Sequence, residues 1–263
     1  MAPAKLTVSL RVVGRRPDGY HLIESEMVSL DLADTLLVDP GGDGLEVVMA
    51  GLDAALDAGL DAGLDGPGTG DDNLVRRALA AAGRAAGVRL VKRVPVGGGL
   101  GGGSSDAAAV LRWAGCADLE VAARLGADVP FCVVGGRARV SGIGERVTAL
   151  PYRPQSYVLL LPPFGVDTGA VYRAWDELGG REVQGSGNDL TAPALAVEPR
   201  LATWRDALGE AAGREPILAG SGSTWWVEGT PDELGIEVRR PLEVESQEGR
   251  LLAVRTVPAG WAG

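Results

Sequence analysis

The stretch Val94–Val110, VPVGGGLGGGSSDAAAV, holds six glycines within the seven residues 97–103, then two serines and a run of helix formers. Glycine carries no Cβ, so consecutive backbone N–H groups can turn inward and approach a bound group closely. At a helix start the same loop adds free amide donors and the positive end of the helix dipole, and Ser104 and Ser105 add hydroxyls. This chemistry suits the phosphates of a nucleotide. The loop sits between a β-branched strand expected over 89–94 and an alanine-rich helix with Ala107, Val110, Leu111 and Ala114 on one stripe, which is not the setting of a flexible linker.

Three familiar phosphate loops are tested against the stretch. A Walker A loop needs Lys followed by Ser or Thr after its last glycine, and here Gly103 is followed by Ser104. Residues 97–102 match GxGxxG, but helix then follows helix where a dinucleotide fold needs a return to a second strand. A protein-kinase loop would come with HRD and DFG motifs, and the chain has neither.

The rest of the chain bounds the reading. Its 263 residues, 46% of them apolar, suffice for one large domain or two smaller ones. A formal charge of −10 argues against nucleic-acid and anionic-membrane partners, which demand a basic field. An anionic small molecule then needs a locally positive pocket. Cys116 and Cys132 make no disulfide or metal framework, the opening MAPAKLTVSL lacks a signal-peptide core, and the apolar run 157–161 is cut by Pro162 and Pro163; a reduced cytoplasm is expected. Of the 25 basic residues only Lys5 and Lys92 are lysine, and a compact ammonium fits beside a reacting oxygen where a planar guanidinium does not.

Residues 5–13 alternate, placing Lys5 and Thr7 on one strand face, and GRRPDGYH (14–21) reads as a turn. Short strands are expected at 35–39 and 45–50, and a low-complexity loop or short helix over 51–70. A helix capped by Asp72 is expected to run from 73 to 86 and end at Gly87, and another to span 118–125. GADVPFCVVGGRARVSGIGE reads as a loop and a strand. Beyond 150 come a strand (157–161), helices (168–178 and 200–212), a Gly-Ser turn between Leu218 and Trp225, a charged helix or loop, and a last strand (251–257). Strands and helices mix without regular βαβ alternation, so the fold class is α+β in two lobes, 1–148 for nucleotide binding and catalysis and 149–263 for substrate.

The pattern P-x-x-x-G-L-G-x-x-S-S, Pro95 to Ser105, resembles the phosphate loop of the superfamily of galactokinase, homoserine kinase, mevalonate kinase and phosphomevalonate kinase. Four segments, APAKLTVSLRVVGRRPDGYH, GGGLGGGSSDAAA, LGADVPFCVVGGRARVSGIGE and LAGSGSTWW, resemble in order the family of 4-diphosphocytidyl-2-C-methyl-D-erythritol kinases, from residue 2 to 226. The resemblance implies a two-lobed small-molecule kinase: an N-terminal lobe like the second domain of ribosomal protein S5, and a ferredoxin-like C-terminal lobe. It implies ATP-dependent phosphorylation of the 2-hydroxyl of 4-diphosphocytidyl-2-C-methyl-D-erythritol in non-mevalonate isoprenoid synthesis. A relative acting on homoserine or mevalonate is the alternative, and it would have no nucleobase to hold.

Phosphoryl transfer needs positioning and charge neutralisation, with a base for the attacking hydroxyl. The resemblance gives that base as Asp128 in GADVP, with Lys5 of PAK beside it; a nearby ammonium favours an ionised carboxylate and stabilises charge developing on the substrate oxygen. It implies ATP contacts from Pro95, Val96, Gly97, Gly98, Gly99, Leu100, Gly101, Gly102, Gly103, Ser104 and Ser105, with Asn73 and Lys92 toward adenine. Tyr20 and His21 match residues that stack on and hydrogen-bond cytosine, Tyr172 a second aromatic on its other face, with Thr168 nearby. Thr7 departs from the asparagine of the usual PAKxN. Mg2+ is expected to accompany ATP, with no ligand beyond Ser104 or Ser105 to name.

Overall fold

The computed structural model describes residues 1–50, 68–180 and 187–263; most of the low-complexity segment, 51–67, lies outside them. The described elements up to residue 150 are β1 (Ala2–Arg15), β2 (His21–Asp39), β3 (Leu45–Met49), α1 (Leu74–Ala81), β4 (Gly87–Lys92), α2 (Gly102–Trp113), α3 (Leu119–Leu125), α4 (Val129–Val134), β5 (Arg137–Gly142) and β6 (Arg146–Leu150). There follow β7 (Ser156–Leu161), α5 (Thr168–Glu177), α6 (Thr191–Val197), α7 (Arg200–Ala212), β8 (Ile217–Leu218), β9 (Trp225–Glu228), α8 (Pro231–Leu234), β10 (Leu242–Val244) and β11 (Gln247–Arg255). The fold is α+β and two-lobed. One sheet runs β3-β4-β2-β5-β6 with β1 also paired to β2, and the other runs β10-β11-β7-β9-β8.

The strand expected over 5–13 is longer, because β1 pairs with β2 along its whole length. Its register slips between Pro3 and Lys5 and again between Thr7 and Ser9. Such bulges re-aim side chains, and here they bracket Lys5 and Thr7. β2 runs 19 residues, where the sequence pattern marked only 35–39, since it serves three partners: β1 from His21 to Asp34, β5 from Ile23 to Val28 and β4 from Thr35 to Asp39.

Three apolar clusters hold the lobes. One packs Val75, Leu90, Leu111 and Phe131 of the first lobe, another Leu160, Leu201, Trp204 and Trp225 of the second. The third joins them: Leu6, Val28 and Leu30 face Tyr157, Leu159, Trp226 and Val254, and the same cluster takes in Leu100 and Ala219. Leu100 is 1% exposed, and burying such a side chain stabilises by about 1.5–3 kcal/mol. The glycine loop is therefore pinned at its middle to the seam between the lobes.

Two helices depart from expectation. The helix expected over 73–86 is α1, closing at Ala81 because the chain turns at Gly83 (φ +62°). Its cap is Asn73 rather than Asp72: the Asn73 carboxamide oxygen accepts the Val75 N–H at 2.9 Å. The GADVP segment is no plain loop; its Val129 opens the short helix α4 with Pro130 in the first turn, and Asp128 fills the N-cap position without making a side-chain capping bond.

Candidate active site

The glycine loop runs from β4 into α2 and walls a cavity of about 440 Å3, together with Asn73, Lys92, Pro95, Val96, Ser104 and Asp106. No side chain caps α2 at Gly101, so its first amides are left for a ligand, at the positive end of the helix. The glycines are required by the protein's own packing as well. Gly97, Gly99 and Gly101 have φ near +70°, a region that L residues avoid. A Cβ on Gly99 would lie 2.6 Å from the Ala219 carbonyl oxygen and 2.8 Å from that of Gly222, and one on Gly101 would lie 2.7 Å from Lys5 Cγ. The late Gly-Ser turn thus lies directly against the phosphate loop, held there by Asn188, whose Nδ2 donates to the Leu218 carbonyl at 2.9 Å.

Lys5 and Asp128, 123 positions apart, meet: Nζ is 3.3 Å from Oδ2. The Lys5 backbone N–H donates to Leu100 O at 2.9 Å, which ties β1 to the glycine loop. Lys5 Nζ also donates to Thr7 Oγ1 at 3.2 Å, so Thr7, 1% exposed, serves the lysine and not the solvent. Asp128 keeps about a third of its side chain exposed, open to a substrate. Ser105 differs from expectation: its hydroxyl donates to the Pro3 carbonyl and lies 3.3 Å from Cys132 Sγ, inside the protein. Burial, with the Asp128 charge next, pushes the Cys132 thiol up to about 12, so it stays neutral. Of the two serines, Ser104 is the one on the cavity wall.

Lys92 is the other surprise. Its ammonium is 2% exposed and sits between Asp34 and Asp106, the latter at 2.8 Å. Burial pulls this ammonium down, but the two carboxylates outweigh it and hold it above its ordinary value. Burial pushes Asp106 up to about 7, Lys92 opposing and Asp34 adding to the rise. Asp34 also accepts from the Arg93 and Val94 N–H groups, at 2.5 and 2.8 Å, which locks the chain where it leaves β4 for the glycine loop. Asp106 Oδ1 finds no protein partner among the described residues. Lys92 therefore braces the floor of the cavity through its amine.

On the second lobe's side, His21 stacks on Tyr172, with centroids 4.8 Å apart and 20° between the planes, and meets Trp175 edge-on at 5.4 Å. His21 Nε2 is 2.8 Å from Asp176 Oδ1. The covered face of Tyr172 has no room for a base, whereas Tyr20, 60% exposed, is open. Burial, then the Asp128 charge, raises the Tyr172 hydroxyl well above its ordinary value. Thr168 opens α5 and its Oγ1 lies 2.8 Å from Ser221 Oγ in the Gly-Ser turn.

Residues 73–136, which hold Asn73, Lys92, the glycine loop and Asp128, match the family described as GHMP kinases N terminal domain. The chain is 39% identical over 241 residues to the 4-diphosphocytidyl-2-C-methyl-D-erythritol kinase of Paracoccus denitrificans, covering 85% of this chain and 84% of that one. It is 32% identical to the enzyme of the same name from Nitrosomonas eutropha, covering 92% and 91%. This chain belongs to the 4-diphosphocytidyl-2-C-methyl-D-erythritol kinase family. A crystal structure titled 4-(cytidine 5'-diphospho)-2C-methyl-D-erythritol kinase superposes with TM-score 0.71 at 35% identity, over 97% of both chains. L. major mevalonate kinase shares the fold at TM-score 0.58 and 11% identity, over 99% of this chain and 96% of that one.

For this small-molecule kinase of the 4-diphosphocytidyl-2-C-methyl-D-erythritol kinase family, the geometry gathers Lys5, Thr7, Asp128 and the glycine loop at one place. It brings Asn73 and Lys92 to the same cavity, each with its side-chain polar atoms already engaged by protein: Asn73 Nδ2 donates to the Gly68 carbonyl at 2.7 Å. Gly98 and Ser105 stay off the cavity wall. Sequence reasoning missed Asp34 and Asp106, partners of a buried lysine, and Asp176, partner of the histidine. A lone lysine in an apolar strand was the one available signal for such buried carboxylates.

Proposed function

We propose that this protein transfers the γ-phosphoryl group of ATP to the 2-hydroxyl of 4-diphosphocytidyl-2-C-methyl-D-erythritol, a step in non-mevalonate isoprenoid synthesis. The observation that carries the reading is the Lys5–Asp128 pair, 3.3 Å apart beside a glycine loop whose helix amides are uncapped. Relatives of that name, matched over most of both chains, support the choice of substrate.

Asp128 accepts the proton of the 2-hydroxyl as its oxygen bonds to the γ-phosphorus; the bond from that phosphorus to the β-bridging oxygen breaks, and ADP leaves. Lys5, steadied by Thr7, lies where it can offset charge on the attacking oxygen. The α2 amides and the glycine loop hold the β- and γ-phosphates, offsetting locally the chain's charge of −10. Ser104, on the cavity wall, is the hydroxyl that would be offered to a magnesium ion arriving with the nucleotide, which would add to the neutralisation of the phosphates. Residues 1–148 hold the nucleotide and the chemistry, and 149–263 supply the facing wall through Thr168 and Tyr172, with Tyr20 and His21 reaching across to the cytidine.

ADP release coupled to a reporter tests the reading. Turnover is expected with the cytidine-linked alcohol and not with homoserine or mevalonate; turnover with either of those alone overturns it.

A further inference from the structure

The histidine has a partner of its own, 155 positions along the chain. Asp176 on α5 places Oδ1 2.8 Å from His21 Nε2, while its Oδ2 lies 3.2 Å from Arg15 Nη1. Arg15 in turn donates from Nε to the Gly19 carbonyl at 3.2 Å, so the hairpin turn that presents Tyr20 and His21 is tied to α5 through these groups. The plane of the imidazole is already set by Tyr172 beneath it and Trp175 at its edge. What the carboxylate adds is the position of a proton. A carboxylate only accepts, so Nε2 must be the donor, and a neutral ring then leaves Nδ1 as a lone-pair acceptor. Nδ1 has no partner among the described residues. Cytosine offers an amine donor at its 4-position, where uracil offers a carbonyl acceptor.

We propose that Asp176, backed by Arg15, is a positioning residue that fixes His21 in the Nε2-protonated tautomer, so that Nδ1 accepts the cytosine amine and rejects uracil. The proposal rests on the cytidine reading above.

The chain has one histidine, so nitrogen NMR of protein labelled at histidine reads the tautomer without any assay of activity. The expected spectrum has a protonated Nε2 and a bare Nδ1 whose signal moves when cytidine 5'-diphosphate is added and not when uridine 5'-diphosphate is. In Asp176→Asn, Arg15 retains the amide oxygen and the NH2 group turns to Nε2, moving the ring proton to Nδ1. That variant should raise the Michaelis constant for the cytidine-linked substrate about tenfold to a hundredfold with little change in kcat. The cytidine-to-uridine ratio of kcat/KM should collapse by a similar factor, and Asp176→Glu, which keeps an acceptor, should retain the preference. A wild-type ring protonated at Nδ1, singly or as imidazolium, overturns the proposal, and so does an Asp176→Asn enzyme with an unchanged ratio. If cytidine diphosphate binds but the tautomer is the other one, only this inference falls; if it leaves the ring signals untouched, the cytidine reading falls with it. Should Asp176→Asn fail to fold, the wild-type spectrum still decides.

Discussion

Replacing Gly99 by alanine tests how the phosphate loop is held. The new Cβ would meet the Ala219 and Gly222 carbonyl oxygens at 2.6 and 2.8 Å, on a residue whose φ is +76°. Left-handed backbone costs an L residue about 1–2 kcal/mol and overpacking about 1–3 kcal/mol, and neither carbonyl belongs to a side chain that can swing away, so the total is about 2–5 kcal/mol. If the loop escapes by lifting off the Gly-Ser turn, the penalty falls on ATP binding, and kcat/KM for ATP drops by about 30- to 4,000-fold at 1.4 kcal/mol per decade. Gly213→Ala is the control: φ is +62° but nothing lies within 4 Å of the added carbon. It should lower the melting temperature by about 2–4 °C for each kcal/mol of backbone strain and leave ATP kinetics alone. Steady-state ADP release at varied ATP, with thermal melts of both variants, makes the comparison. Gly99→Ala kinetics indistinguishable from those of Gly213→Ala would refute the packing argument.

Further outcomes concern the buried charges and the lysine's neighbour. Lys92→Met strands Asp34 and Asp106 without their cation, and a stability loss of about 3–5 kcal/mol is expected in denaturant melts; an unchanged midpoint contradicts it. Asp106 titrates near 7 when folded against an ordinary 3.8. The folded state therefore binds the extra proton between those values, and the stabilisation, complete below about 4, is lost as pH rises to about 7. Asp106→Asn should remove that slope, gaining on the wild type in urea melts between pH 5 and 8, and parallel curves would rule the assignment out. Thr7→Val removes the hydroxyl that accepts from Lys5 while keeping its volume. It should cut kcat/KM about five- to tenfold, for roughly 1 kcal/mol of lost hydrogen bond, with the melting temperature down by no more than about 2–4 °C; a full-rate enzyme shows that the contact is idle.

What could be read from the chain alone follows the range of each signal. The glycine loop, the stripe of α2 and the boundaries of α7 are local, written in neighbouring residues, and the structure has α7 at Arg200–Ala212 as expected. The α1 end was misplaced because Gly83, in place of Gly87, supplies the left-handed turn. α4 escaped notice because six residues, one of them a proline, are too few to display a helical period. The inward turn of Ser105 depends on Pro3, 102 positions away, and the clasp on Lys92 joins three segments from β2, β4 and α2. No spacing rule anticipates such meetings; they follow from strand pairing. Lys5 and Asp128 were named through a resemblance, and their contact depends on the bulged register of β1 against β2.

In the proposed reaction Asp128, beside Lys5, takes the proton from the substrate hydroxyl. Asp128→Asn keeps the shape and removes the base, and the turnover number with the cytidine-linked substrate measures the result. A drop of about 10²- to 10⁴-fold, with both Michaelis constants nearly unchanged, is predicted. A turnover within a few-fold of the parent contradicts it.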